Sequence, residues 1–258
     1  MKKLILLLFF VPLFCKAQLI IYGGPLYGFY GNKSFNQFAT SYNTYLTTNN
    51  VGISKELKPF NTARGYNFGV GAFITEGLGF SFGFVHFASS TKAEFTDGSS
   101  RHFTNTINTP LTFGMMFKGG PVTFHPKFGF AKALIESYYE YPDGTISYGK
   151  DKILNGVFTT WDFFGELNLS IDLISTDFLL VDIGASAYGM PSKRNTYTDW
   201  NWGKSLNYTG TYPTGLPIDY VEWSNAGLGN YDVEKYVHPK SHFYYVFANV
   251  KLFIGGGD

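Results

Sequence analysis

The stretch GVFTTWDFFGELNLSIDLI, residues 156–174, decides the fold. From Thr160 to Leu173 it alternates without a break. Trp161, Phe163, Gly165, Leu167, Leu169, Ile171 and Leu173 fall on one face; Thr160, Asp162, Phe164, Glu166, Asn168, Ser170 and Asp172 fall on the other. Successive side chains of an extended chain point to opposite faces, so period two marks a strand. A helix would scatter both sets around its circumference. The run also exceeds the roughly 5–6 residues of an ordinary soluble strand.

Working outward, the same alternation recurs. Tyr66, Phe68, Val70, Ala72 and Ile74 oppose Asn67, Gly69 and Gly71. Phe80, Phe82 and Phe84 oppose Gly79, Ser81 and Gly83. Ile107, Leu111, Phe113, Met115 and Phe117 oppose Thr104, Thr106, Asn108, Thr112 and Gly114. Phe124, Phe128 and Phe130 oppose His125, Lys127 and Gly129; Leu179, Val181, Ile183 and Ala185 oppose Asp182, Gly184 and Ser186. Val246, Ala248, Val250 and Leu252 oppose Asn249 and Lys251, whereas the Gly- and Tyr-rich run 19–30 shows no clear faces.

This predicts eight strands at 19–30, 64–75, 79–95, 101–118, 121–141, 145–173, 177–190 and 242–254. Their connections alternate in length. Glu76-Gly77, Gly119-Gly120-Pro121 and Ser175-Thr176 are tight; 31–63 and 191–241 are long, and Asp97-Gly98 and Asp143-Gly144 mark the tips of two further hairpins. Large groups on one face with glycines opposite suit an apolar exterior around a narrow interior. An all-β, closed, antiparallel up-and-down transmembrane barrel is therefore expected, with the long loops outside the cell. A soluble lipocalin-like carrier, the competing eight-strand reading, would turn its apolar face inward.

The first residues agree. Lys2 and Lys3, an apolar run from Leu4 to Phe14, then Cys15, Lys16 and Ala17 resemble a secretory signal peptide cleaved after Ala17. The expected division is a signal peptide at 1–17 and one barrel domain at 18–258. Phe14 is a poor fit for a lipoprotein signal, so Cys15 is expected to leave with the peptide, and no disulfide or thiolate site follows. Losing Lys2, Lys3 and Lys16 from 20 basic residues leaves 17 against 19 acidic ones, and no basic excess to suggest nucleic acid. Aromatic residues make up 19% of the chain, charged ones only 15%, and there are 30 glycines. A soluble domain carries about 25% charge, so this balance also suits a lipid-facing barrel.

Signal peptide and strand plan together resemble the small outer-membrane barrels of Gram-negative bacteria, the OmpA- and OmpX-like eight-strand types. The resemblance covers essentially the whole chain and rests on pattern, not on a motif. It implies location in the bacterial outer membrane after Sec-type export, with outer-membrane lipids and lipopolysaccharide as surroundings and a possible protein partner at the outer loops. Some barrels of this kind deacylate lipid A with His, one residue, then Ser-Asn on a strand. Here His86 is followed by Phe87, Ala88, Ser89 and Ser90, which misses that spacing. The five histidines are scattered and match no metal-ligand pattern. No enzyme, metal or cofactor is expected.

Two sets of residues stand out as candidate sites. Lys127, Glu166, Asp182 and Lys251 share the polar face and are expected to pair in one network closing the lower lumen, with His125, Asp162 and Asn249 nearby. Phe35, Phe38, Tyr42 and Tyr45 share a helical stripe, and with Trp200, Trp202 and Trp223 of the long last loop form a candidate lid or partner surface. The function expected is interaction: adhesion, envelope integrity or association with a membrane complex. The alternative is a narrow channel for a small or apolar solute.

Overall fold

A computed structural model describes residues 18–31, 33–147, 155–190, 198–199, 204–205 and 241–254. Eight strands form the wall: β1 (Gln18–Gly31), β2 (Thr62–Phe73), β3 (Leu78–Phe95), β4 (Ser100–Gly119), β5 (Val122–Glu140), β6 (Gly156–Ser175), β7 (Leu179–Met190) and β8 (Ser241–Ile254). Each pairs antiparallel with its chain neighbours, and β8 pairs with β1, so the sheet closes. Closure leaves no free edge in the wall, as lipid requires. No helix among the described residues is long and apolar enough to cross a membrane.

The stagger can be followed through in-register partners. Leu169 leads to Ala185, Val246, Tyr27, Arg64, Ala88, Thr106 and Leu134, and returns to β6 at Thr159, ten residues higher. That offset makes every strand tilt against the barrel axis. Outward side chains from Trp161 to Leu173 on β6 form an apolar band, continued by Phe68, Phe82, Phe128 and Val250. Tyr66, His86 and Tyr244 lie along its upper edge, where aromatic girdles sit in such barrels. The tight turns lie at one end of the barrel and the long connections at the other.

Three expectations need correction. First, Ile107 is buried in the interior, while Leu111 faces outward. Two residues of β4, Pro110 and Leu111, stand opposite one of β3 at a bulge, and parity flips there. Pro110 has no N–H to give the ladder. The Thr109 hydroxyl takes over instead: it accepts from Val85 N at 2.8 Å and donates to Val85 O at 3.1 Å. Thr109→Val removes both bonds at a buried site, so urea unfolding of the barrel in vesicles is expected to show a loss of about 1–3 kcal/mol. Second, β6 begins at Gly156 and not at 145; Ile146–Ser147 is a separate short strand paired with β5.

Third, the interior is not filled by small residues alone. β1 points Tyr22 and Tyr30 inward, β7 Tyr188, and β8 Phe243, Tyr245 and Phe247. The glycines of neighbouring strands make room for them. A Cβ at Gly83 would lie 2.8 Å from the Tyr22 hydroxyl, one at Gly69 would collide with the same ring, and one at Gly184 would lie 2.5 Å from Phe247 Cζ.

Candidate functional site

The first connection holds helix α1 (Lys33–Thr48). Phe35, Ala39, Tyr42 and Leu46 recur at helical spacing and are buried. Of the expected stripe, Phe35 and Tyr42 are therefore in the packed face; the side chains of Phe38 and Tyr45 lie outside what is described. Ala39 and Leu46, which complete the face, are not aromatic, and a search for rings passes over them. Phe35 stacks on Phe60 at 4.0 Å and meets Phe103 edge-on at 5.6 Å; Tyr42 meets Phe103 at 6.4 Å.

Asn43 fixes the helix in place. Its side chain donates to Leu57 O and accepts from Leu57 N, each at 2.9 Å. This imitates a strand partner and draws Leu57 and Phe60 over the helix. The helix is thus part of the core that seals the barrel mouth, together with the inward faces of β3, β4 and β5. Arg101 of β4 is buried there, hydrogen-bonded to Asn155 and lying 5.2 Å from the Tyr139 ring. Burial raises the Tyr42 hydroxyl above its ordinary pKa, and the Arg101 charge opposes that shift. No sequence pattern pointed to Arg101, because a single cation on a strand reads as solvent-facing.

Below this seal the lumen is crossed by rings and then by charges. Phe164 is fully buried and stacks on Tyr188 at 5.1 Å; Phe87 stacks on Phe243 at 4.8 Å. Next come two ion pairs. Lys127 Nζ lies 3.1 Å from Glu166 Oε1, with both side chains almost wholly buried. Lys251 Nζ stands 2.7 Å from Asp182 Oδ2, a pair by distance rather than an aligned hydrogen bond. Lys127 and Glu166 meet because they are in-register partners on β5 and β6. Glu166 Oε1 also accepts from the Tyr245 hydroxyl and, at 3.5 Å, from Ser186 Oγ. Neither partner belonged to the expected network.

His125 and Asn249 line the same polar cavity as Lys127, Asp182 and Lys251. It has a volume of ≈ 20 Å³, room for about one water. His125 bonds Ser81 Oγ at 2.6 Å. Asp162 does not join them: it lies four residues nearer the mouth on β6 and accepts from Phe163 N at 2.8 Å. At the lower rim Lys118 pairs with Asp172 at 3.0 Å, beside an apolar cluster of Ile20, Phe73 and Met116. The expected signal peptide, residues 1–17, lies outside the described residues, as do Trp200, Trp202 and Trp223.

No family model matches the sequence, and no curated protein matches it. Solved structures similar to this chain are outer-membrane barrels. Ail, the attachment invasion locus protein of Yersinia pestis, in complex with the heparin analogue sucrose octasulfate, is 8% identical with a TM-score of 0.45, over 93% of this chain and 99% of that one. A major outer membrane protein from Thermus thermophilus is 15% identical with a TM-score of 0.41, over 92% and 99%. The outer membrane protease OmpT from Escherichia coli is 9% identical with a TM-score of 0.38, over 92% and 96%. Nothing about function follows from likeness at that level. On its own closed topology and apolar girdle, the chain has the fold of an eight-stranded transmembrane β-barrel.

Proposed function

We propose that this barrel is closed to solutes and not an enzyme, and that it works by interaction at its outward end, in adhesion, envelope integrity or association with a membrane complex. The observation that carries the reading is the filled lumen. Ion pairs, stacked rings and the α1 seal follow one another from the lower rim to the mouth. Strands β3 to β6 run to 18–20 residues, against the roughly 9–11 needed to cross a membrane. Their upper parts form a wall above the girdle, polar outside, with Lys92 bonded to Glu94 and His102 to Glu140.

That wall carries the most enzyme-like cluster, and its geometry argues against catalysis. Ser100 Oγ and Glu140 Oε2 both lie 2.8 Å from Nε2 of His102. A proton relay needs the hydroxyl and the carboxylate on opposite ring nitrogens. The proposal is tested by recording from the purified full chain in planar bilayers. A silent membrane is expected; steady unitary openings would overturn the closed reading and establish the narrow channel.

A further inference from the structure

The outer wall of β6, β7, β8 and β1 carries a depression of ≈ 700 Å³. That is within the ~300–1,000 Å³ range of small-molecule sites. Its floor is made of Ala185, Ala248, Pro25 and the backbone at Gly184, and Leu169 and Ile171 bound its lower end. The in-register row Leu169, Ala185, Val246, Tyr27 climbs across it, because stepping from β6 toward β2 rises along the barrel. Tyr27 therefore stands at the upper end. The next partner in that row is Arg64, exposed, with its guanidinium 6.0 Å from the centre of the Tyr27 ring. Among the described residues, Arg64 is the one charged side chain on the outward faces of β1, β2, β7 and β8.

We propose that this depression seats an acyl chain of a phosphate-bearing lipid, with Arg64 on the phosphate. The long-loop end of the wall meets the outer leaflet, so the lipid is the lipid A anchor of lipopolysaccharide. The inference rests on the wall being lipid-facing, which the proposed function shares, but not on the lumen being closed. Hydrocarbon gains little by leaving lipid for an apolar groove; close packing against small residues is what favours one seated chain over a mobile one. Selection comes from the head. A guanidinium matches a phosphate with two parallel hydrogen bonds, and the Tyr27 ring beneath holds it at the top of the groove.

Native mass spectrometry of the delipidated full chain in zwitterionic detergent, titrated with purified lipid A, reads the site directly. One tight adduct is expected. Arg64→Gln is expected to weaken it about tenfold, the loss of one charged hydrogen-bonding group. Ala248→Phe, which fills the groove, is expected to abolish it while the protein keeps its heat-modifiable migration. Lys132→Gln, a cation on the outward face of β5, serves as control and is expected to leave binding unchanged. Equal binding by wild type, Arg64→Gln and Ala248→Phe would overturn the site. So would equal retention of phosphatidylglycerol, which would mean a general anionic annulus. A dimer of the wild type that Ala248→Phe dissociates would assign the groove to a second copy and overturn the lipid. Conductance in planar bilayers bears on the proposed function alone, so the two can fail separately.

Discussion

Glu166→Ala is expected to destabilise the barrel by about 3–5 kcal/mol, because it leaves Lys127 charged, buried and alone. The Lys127 side chain is almost wholly buried, and the second acid in the lower lumen, Asp182, is already held by Lys251 at 2.7 Å. The substitution also strips the Tyr245 hydroxyl of its acceptor. Urea unfolding in vesicles, followed by heat-modifiable migration, measures the loss. Replacing both members, Lys127→Met with Glu166→Leu, removes the uncompensated charge, and that double variant is expected to recover most of the stability. A single variant as stable as wild type would mean that water reaches Lys127 freely, since a solvated pair contributes only about 0–1 kcal/mol. The closed-lumen reading would then fail too.

Phe164→Ala is expected to cost about 3–5 kcal/mol, the range for losing a buried phenyl ring. The ring is fully buried, lies on Tyr188 at 5.1 Å and covers its in-register partner Gly129 on the neighbouring strand β5, where a Cβ would come within 2.9 Å of it. Strands of a closed barrel cannot move together to refill such a gap, so the upper end of the range is expected. The same variant probes occlusion. Removing the ring opens the tier above the ion pairs but leaves Lys127, Glu166, Lys251 and Asp182 in place, so bilayers are expected to stay silent. Steady currents in Phe164→Ala would show that the rings, and not the charges, close the barrel.

The α1 seal shows how far sequence reading reaches. Phe35 and Tyr42 sit on the packed face, as their spacing suggests, but the face is completed by Ala39 and Leu46. Helical period ranks positions; which of them is buried depends on what covers the helix, here Leu57 and Phe60 drawn over it by Asn43. The polar cluster behaves alike. Alternation placed Lys127, Glu166, Asp182 and Lys251 on one face. Register made them two pairs and brought Tyr245 and Ser186 to Glu166.

By itself the sequence determined the eight strands, their alternation and the alternation of short and long connections. These follow from period two and from Gly, Pro and Asp at turns, which act over a few neighbouring residues. Tertiary structure alone decided the stagger of ten, the parity flip at the Thr109–Pro110 bulge, the glycines that admit Tyr22, and which charges touch. Each of these is set by pairing between strands far apart in the chain. A shift of one residue in that pairing would exchange inside for outside while leaving every local pattern unchanged.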